Sequence, residues 1–213
     1  MNTDELIRQL GAHVEPIDRH LLARRLTVAL GVGLVAALLL LNTLLGFRSD
    51  IASVAQTPLF WAKVAFPLVL AIGALWAFSR LARPGMHAGN ARWLLVAPVL
   101  VVWLGALVVL LDTASDARLE LVLGHTWKTC PFNIMLLAVP AFLCNLWVMR
   151  GMRPTRLRLA GALAGLLAAA TATVVYCLHC PEMAVPFWGV WYLLGMLMPA
   201  ALGALIGPRV LKW

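Results

Sequence analysis

The residues best equipped for chemistry lie in one short stretch, Tyr176-Cys-Leu-His-Cys-Pro-Glu182. Two thiols stand as Cys177-x-x-Cys180, with His179 between them and Glu182 just beyond. A third thiol, Cys130, follows His125-Thr-Trp-Lys-Thr. A Cys-x-x-Cys pair can cycle between dithiol and disulfide, or offer two soft ligands to a metal. His125 and His179 could add nitrogen donors and Glu182 an oxygen. One pair is not a four-ligand set. The residues therefore leave three states open: a structural disulfide of Cys130 with Cys180 or with Cys177, a redox- or metal-responsive cluster, and inert thiols.

The elements that must position these thiols are membrane helices. Of the 213 residues 62% are hydrophobic and only 12% are charged, where a soluble domain is about half apolar and about a quarter charged. Six apolar blocks, at about 26–46, 58–79, 93–111, 130–149, 159–178 and 187–207, match the roughly 20 residues a helix needs to cross a bilayer. Their Leu, Ala and Val content at these lengths favours helices over the short alternating strands of a barrel. The expected fold is an all-α integral membrane protein: a polar tail over 1–25 and a six-helix domain over 26–213, with no length left for a separate soluble domain.

Charge sets the orientation. Thirteen of the 17 Lys and Arg residues fall in 1–25, 80–92, 150–158 and 208–213. The opposite side holds only Arg48, Lys63, Arg118 and Lys128. Basic segments stay in the cytoplasm, so both termini are expected there. The net charge of +8 then reflects topology and anionic-lipid contact; direct nucleic-acid binding is not expected. A positive tail before an apolar run also resembles a signal peptide, but the run is too long and no small-x-small cleavage site follows.

Several local features refine this picture. Asn2 and Glu5 form a weak capping-box pattern, with Leu6, Ile7 and Leu10 on one helical face and Gly11 as the expected stop. Pro16 is placed to open a second tail helix carrying Ile17, Leu21 and Leu22. Pro58 and Pro131 suit first helical turns, and Pro140 is a kink candidate. Lys63, one turn inside its block, is expected to snorkel to the outer interface or to pair with Asp50. Residues 112–129 are expected to lie on the interface. Gly161-x-x-x-Gly165 and Gly203-x-x-x-Gly207 permit close helix approach without specifying a dimer. Trp61, Trp93, Trp127, Trp147, Trp188, Trp191 and Trp213 read as interfacial anchors.

With both termini inside, Cys130 opens the fourth span and Cys177 and Cys180 close the fifth, all at the outer face. That face meets an oxidising compartment if the host is a diderm bacterium. Cys144, fourteen residues after Cys130, is about 21 Å deeper at about 1.5 Å per residue and reads as a small core residue. A bond or metal joining the outer thiols could shift helix packing and reach the inner loops, which is a switch.

The ordered set Asp4-Glu-Leu-Ile-Arg-Gln-Leu10, Gly46-x-Arg48-x-Asp50, Arg83-Pro-Gly85, Cys130 after a tryptophan, Tyr176-x-x-x-Cys180-x-Glu182 and Trp191-Tyr192 resembles the NrsF-like family, negative regulators of sigma F. The resemblance spans nearly the whole chain. It implies a six-helix anti-sigma factor of the bacterial inner membrane, which sequesters an extracytoplasmic-function (ECF) sigma factor at its cytoplasmic face. It also implies release on an envelope stress signal, with Cys130 and Cys180 as the sensor; Cys177 is not matched by the pattern. Asp4 and Glu5 beside Leu6, Ile7 and Leu10 would then dock a basic sigma surface, helped by the basic inner loops. Such a regulator is not an enzyme. It needs no catalytic residue and no standing cofactor, only transient heavy-metal contact at the outer cysteines; a homodimer is compatible with it. The competing reading is a membrane thiol–disulfide oxidoreductase using the outer Cys-x-x-Cys, which would normally need two cooperating pairs. A metal transporter would need ionisable residues at mid-bilayer, and the blocks offer almost none.

Overall fold

The structure, a computed structural model, describes residues 2–12, 20–83, 85–87 and 89–212. Helix α1 (Thr3–Ala12) starts where the Asn2 carbonyl accepts from the Glu5 and Leu6 amides. Gly11 does not stop it; α1 runs one residue further. The second tail helix expected from Pro16 lies partly outside the described residues. Leu21 and Leu22 belong instead to the first long helix, α2 (Leu21–Leu45), which closes in a π turn over Leu41–Leu45. It begins before the apolar block because backbone hydrogen bonding continues past the edge of the hydrophobic run, taking in Arg24 and Arg25.

Gly46, at φ 79°, turns the chain out of α2. A short α3 (Ile51–Val54) leads to α4 (Pro58–Leu81), whose N-terminus is capped by the Thr57 hydroxyl accepting from the Phe60 amide, with Pro58 in the first turn. Then follow α5 (Ala91–Asp112), the short α6 (Arg118–Leu123), α7 (Cys130–Gly151), α8 (Leu157–Tyr176) and α9 (Val185–Val210). Helix α7 runs through Pro140 unbroken. Six of these helices are long and apolar enough to cross a membrane, and they match the six expected blocks to within a few residues at each end.

Helix α8 is the centre of the bundle, packed against α9, α7 and α4, while α2 leans on α7. Its buried face is made of small residues, including Ala160, Gly161, Ala164, Gly165 and Ala168. A Cβ added at Gly161 would fall on the Gly203 carbonyl, and one at Gly165 on the Pro199 carbonyl. The two Gly-x-x-x-Gly faces are thus consumed between α8 and α9 of one chain. They are not free for the homodimer that such spacing otherwise permits. Buried Asn145 of α7 donates to the Ala164 carbonyl of α8 at 3.2 Å. Helix α5 is outermost, with only Ala91 and Ala106 buried, and its exposed residues are apolar, Val101, Leu104 and Leu111 among them. The six long helices run end to end through the bundle, so Cys130 and the 177–184 turn lie at one end and the N-terminus of α2 at the other. These are called below the thiol end and the tail end.

Candidate functional site

The thiol end is closed by the turn after α8. Cys177, Cys180 and Cys130 are all fully buried there, and all three are free thiols. Cys130 stands in the first turn of α7, where Pro131 fixes the start of the helix. Its side chain meets that of Cys180. The Cys177 thiol points elsewhere, toward the Lys63 carbonyl at 3.9 Å. The turn therefore pairs Cys180 with Cys130 across two helices, and not with its neighbour in the Cys-x-x-Cys motif.

Charge converges on the backbone of this turn. Lys63 of α4 has no solvent exposure. Its ammonium donates to the carbonyls of Cys180 at 2.7 Å and Glu182 at 2.8 Å and lies 5.7 Å from the centre of the Tyr192 ring. The snorkelling expected of Lys63 does not occur, nor does pairing with Asp50. Two carbonyls of the turn that follows α8 offer a buried ammonium the hydrogen bonds it would otherwise have to seek in water. Arg48, in the turn after α2, takes Asp50 in a two-pronged ion pair at 2.7 and 2.8 Å. It also donates to the Cys180 carbonyl at 3.2 Å, while its own amide donates to the Leu178 carbonyl at 3.1 Å. The Arg48 guanidinium holds the Asp50 carboxyl below the usual range.

The remaining polar side chains of the motif are also engaged. His179 reaches the Gly46 carbonyl with Nδ1 at 2.8 Å; a carbonyl only accepts, so Nδ1 carries the proton. Glu182 Oε1 accepts from the His125 amide at 2.8 Å, the Thr126 amide at 3.1 Å and the Thr126 hydroxyl at 3.3 Å. The His125 ring itself is exposed. Among the described residues no group of three or more His, Cys, Asp or Glu side chains is arranged to hold a metal. His125, His179 and Glu182 fasten loops to one another here.

These contacts set the reactivity of the thiols. Hydrogen bonding from the Cys130 thiol pulls Cys180 well below the ordinary thiol value, against the opposing effect of burial, and the Lys63 ammonium acts in the same direction. Burial pushes Cys177 up to about 12. One thiol of the Cys-x-x-Cys pair is thus activated and the other quenched.

A family profile described as "Negative regulator of sigma F" matches residues 10–213. The chain belongs to the negative regulator of sigma F family. It is 46% identical to "Probable anti-sigma-F factor NrsF" of Azospira oryzae, and 36% identical to "Anti-sigma-F factor NrsF" of Caulobacter vibrioides, over the full length of both chains in each case. No solved structure matches it.

Of the motif residues that suggested the negative regulator of sigma F family, those around Gly46–Asp50, Cys130, Tyr176–Glu182 and Trp191-Tyr192 converge at the thiol end, although they are far apart in sequence; Asp4–Leu10, Arg83 and Gly85 do not. Gly46 engages His179 and Arg48 engages Cys180, with Asp50 holding the Arg48 guanidinium. Tyr176 packs on Tyr192 with ring centres 5.9 Å apart, and Trp191 donates to the Val122 carbonyl at 2.7 Å. Trp191 also stacks on Trp127 with centres 5.3 Å apart. Residues 118–127 are therefore tied to the start of α9. Trp61, Trp93 and Trp147 are well exposed, as anchors should be, but Trp188 is buried and Trp127 and Trp191 are half-buried; Trp213 lies outside the described residues.

At the tail end, Asp4, Glu5, Leu6 and Ile7 are all exposed on α1. Glu5 pairs with Arg8 at 3.2 Å, and the Leu10 side chain is outside what the structure describes. Cys130, Cys177 and Cys180 lie at the thiol end, so any link between the two ends must pass along the helices. The sequence alone missed Lys63 as a member of the site. Its signal was a cation inside an apolar block, where an ionisable residue generally marks a function or a buried partner.

Proposed function

We propose that the chain is an anti-sigma factor embedded in the bacterial inner membrane with both termini in the cytoplasm. It holds an ECF-type sigma factor through α1 and the basic loops of the tail end. It releases the sigma factor when an envelope oxidant or thiophilic metal reaches Cys130 and Cys180. The observation that carries this reading is the meeting of those two thiols, drawn from different helices, inside a cluster that also grips α2 and α4. Family membership and the two relatives' names support the sigma partner. The six long apolar helices and the skew of basic residues support the membrane and the orientation.

The chemistry is of two kinds. A two-electron oxidant, such as a peroxide, would take two electrons from the thiols; an S–S bond forms between Cys130 and Cys180 and two protons leave. A soft divalent metal would displace the same protons and form two metal–thiolate bonds. Either event alters how Cys180 sits under Lys63 and Arg48. Lys63 belongs to α4, and Arg48 follows α2 directly. A shift of the Cys180 carbonyl therefore loads two helices, one of which continues at its other end into the tail. Helix α2, at 25 residues, is about 37 Å long at about 1.5 Å per residue, enough to carry a rigid-body tilt across a bilayer.

The thiol oxidoreductase reading is less well supported, because Cys177 is turned to a backbone carbonyl and does not pair with Cys180. The sigma-binding claim is tested by isolating membranes from cells that express the tagged full chain with the host's sigma factors. Recovery of one ECF-type sigma factor with the chain is expected. Its absence, with the chain intact in the membrane, would refute the reading.

A further inference from the structure

The tail end also holds a pocket whose cations the sigma reading counts only among its basic loops. The N-terminus of α2, the C-terminus of α7 and the segment after α9 border an open pocket of about 440 Å³ lined by Arg25, Trp147, Arg150, Gly151, Arg153 and Lys212. Four of the six are cations. Among the described residues none of the four has a carboxylate partner; the ion pairs there are Arg8 with Glu5 and Arg48 with Asp50. Like charges brought together repel one another unless an anion lies among them, and none of the described residues supplies one.

Its shape is fixed by packing. Arg25 lies over the Trp147 ring at 5.5 Å, and its guanidinium occupies the space a Cβ on Gly151 would need. Arg153 adopts φ 50°, a left-handed backbone uncommon for a residue with a side chain. The pocket also opens onto an apolar track. Trp147, Leu143, Val139 and Leu136 recur at helical spacing along α7, and all four are exposed.

We propose that this pocket binds the headgroup of an anionic phospholipid, its phosphate held by Arg25, Arg150, Arg153 and Lys212 and its acyl chains laid along Leu143, Val139 and Leu136 on α7. Four cations suit a headgroup with two phosphates better than one with a single phosphate. The apolar track favours a lipid over free phosphate or an acidic protein segment, since neither of those would cover it. Basic pockets between helices at a cytoplasmic bilayer surface are suited to such headgroups. The site rests on the chain spanning a membrane, but not on the identity of its sigma partner or on its cysteines.

The test uses the full chain in nanodiscs of zwitterionic phosphatidylcholine, with added cardiolipin or phosphatidylglycerol, and soluble pyrophosphate as a separate arm. Bound lipid is counted by native mass spectrometry. Cardiolipin should be retained more strongly than phosphatidylglycerol. Arg150→Gln with Lys212→Gln, both exposed positions, should weaken that retention by about tenfold or more, while Arg118→Gln at the thiol end leaves it unchanged. Retention unchanged in the double variant would overturn the site, as would pyrophosphate binding as tightly as cardiolipin. Loss of sigma capture with lipid retention intact would make the pocket a protein-docking surface and also overturn it. A chain that does not enter nanodiscs would contradict the membrane reading as well; one that enters but ignores the double variant contradicts this site alone.

Discussion

The ammonium of Lys63 lies 2.7 Å from the carbonyl oxygen of Cys180, at a position with no solvent exposure. The same oxygen is shared with Arg48 at 3.2 Å. A single backbone atom therefore joins the turn after α8 to α4 and to the end of α2. Replacing Lys63 by Met keeps the bulk and removes the donor. The Cys180 carbonyl retains Arg48, but the Glu182 carbonyl loses the Lys63 hydrogen bond. An orphaned buried acceptor costs about 1–3 kcal/mol, so thermal unfolding in detergent should start several degrees lower in Lys63→Met. An unchanged unfolding temperature would mean that the buried ammonium contributes nothing to the turn.

The two thiols of Cys177-x-x-Cys180 should separate by pH. The pKa of Cys180 is depressed in the folded chain, so native Cys180 binds fewer protons than an unfolded thiol. The stabilisation this provides is present above the ordinary thiol value and is lost as the pH drops through the depressed one. Labelling by a small thiol reagent should accordingly persist for Cys180 at pH values where an ordinary thiol is protonated. Labelling of Cys177, raised to about 12, should be slow throughout. Removing the ammonium with Lys63→Met should move the Cys180 profile upward. Peptide mapping of the labelled sites across pH checks this, and identical profiles for the two residues would count against it.

Glu182 offers a test of what the cluster's carboxylate does. It accepts from the His125 and Thr126 amides. Glu182→Ala should raise hydrogen exchange at those two amides by about tenfold, the worth of one hydrogen bond, and Glu182→Gln, which keeps an acceptor, should largely restore protection. A role as metal ligand predicts instead that both variants lose thiophilic-metal binding equally, with exchange at residues 125 and 126 unaltered.

Most of the fold was legible because it is written in composition. Six apolar blocks of bilayer length, and glycines four apart on α8 and α9, need no tertiary information to interpret. The depth of Lys63 was not legible. A lysine near the end of an apolar block reads as a snorkel unless one knows that the turn after α8 folds over it and aims two carbonyls at it. The same is true of Glu182 and His179, whose types suit metal ligation but whose partners are backbone groups from residues more than fifty positions away in the chain. The residues alone left Cys130 open to either Cys180 or Cys177, and the family resemblance pointed to Cys130 with Cys180.

Helix packing gives a prediction independent of the thiols. A side chain at Gly161 meets the Gly203 backbone, whereas one at Gly31 meets nothing within 4 Å. Gly161→Leu should destabilise the bundle by about 1–3 kcal/mol or prevent its assembly, read as loss of a sharp thermal transition. Gly31→Leu should be close to neutral. Equal effects at the two positions would argue against the close contact of α8 with α9.

Deleting residues 2–20 should reduce capture of the sigma factor to background without changing the unfolding temperature of the helical domain. A shortened chain that still captures it would move docking entirely to the basic loops.

The central claim is that Cys130 and Cys180 at one end govern what is held at the other. The most direct measurement is the amount of sigma factor that stays with the membrane-embedded chain before and after treatment with peroxide or a cadmium salt. It is compared between the natural chain and a variant with Cys130→Ser and Cys180→Ser. The account predicts release from the natural chain and retention by the variant under both treatments. Equal release from the two would contradict it.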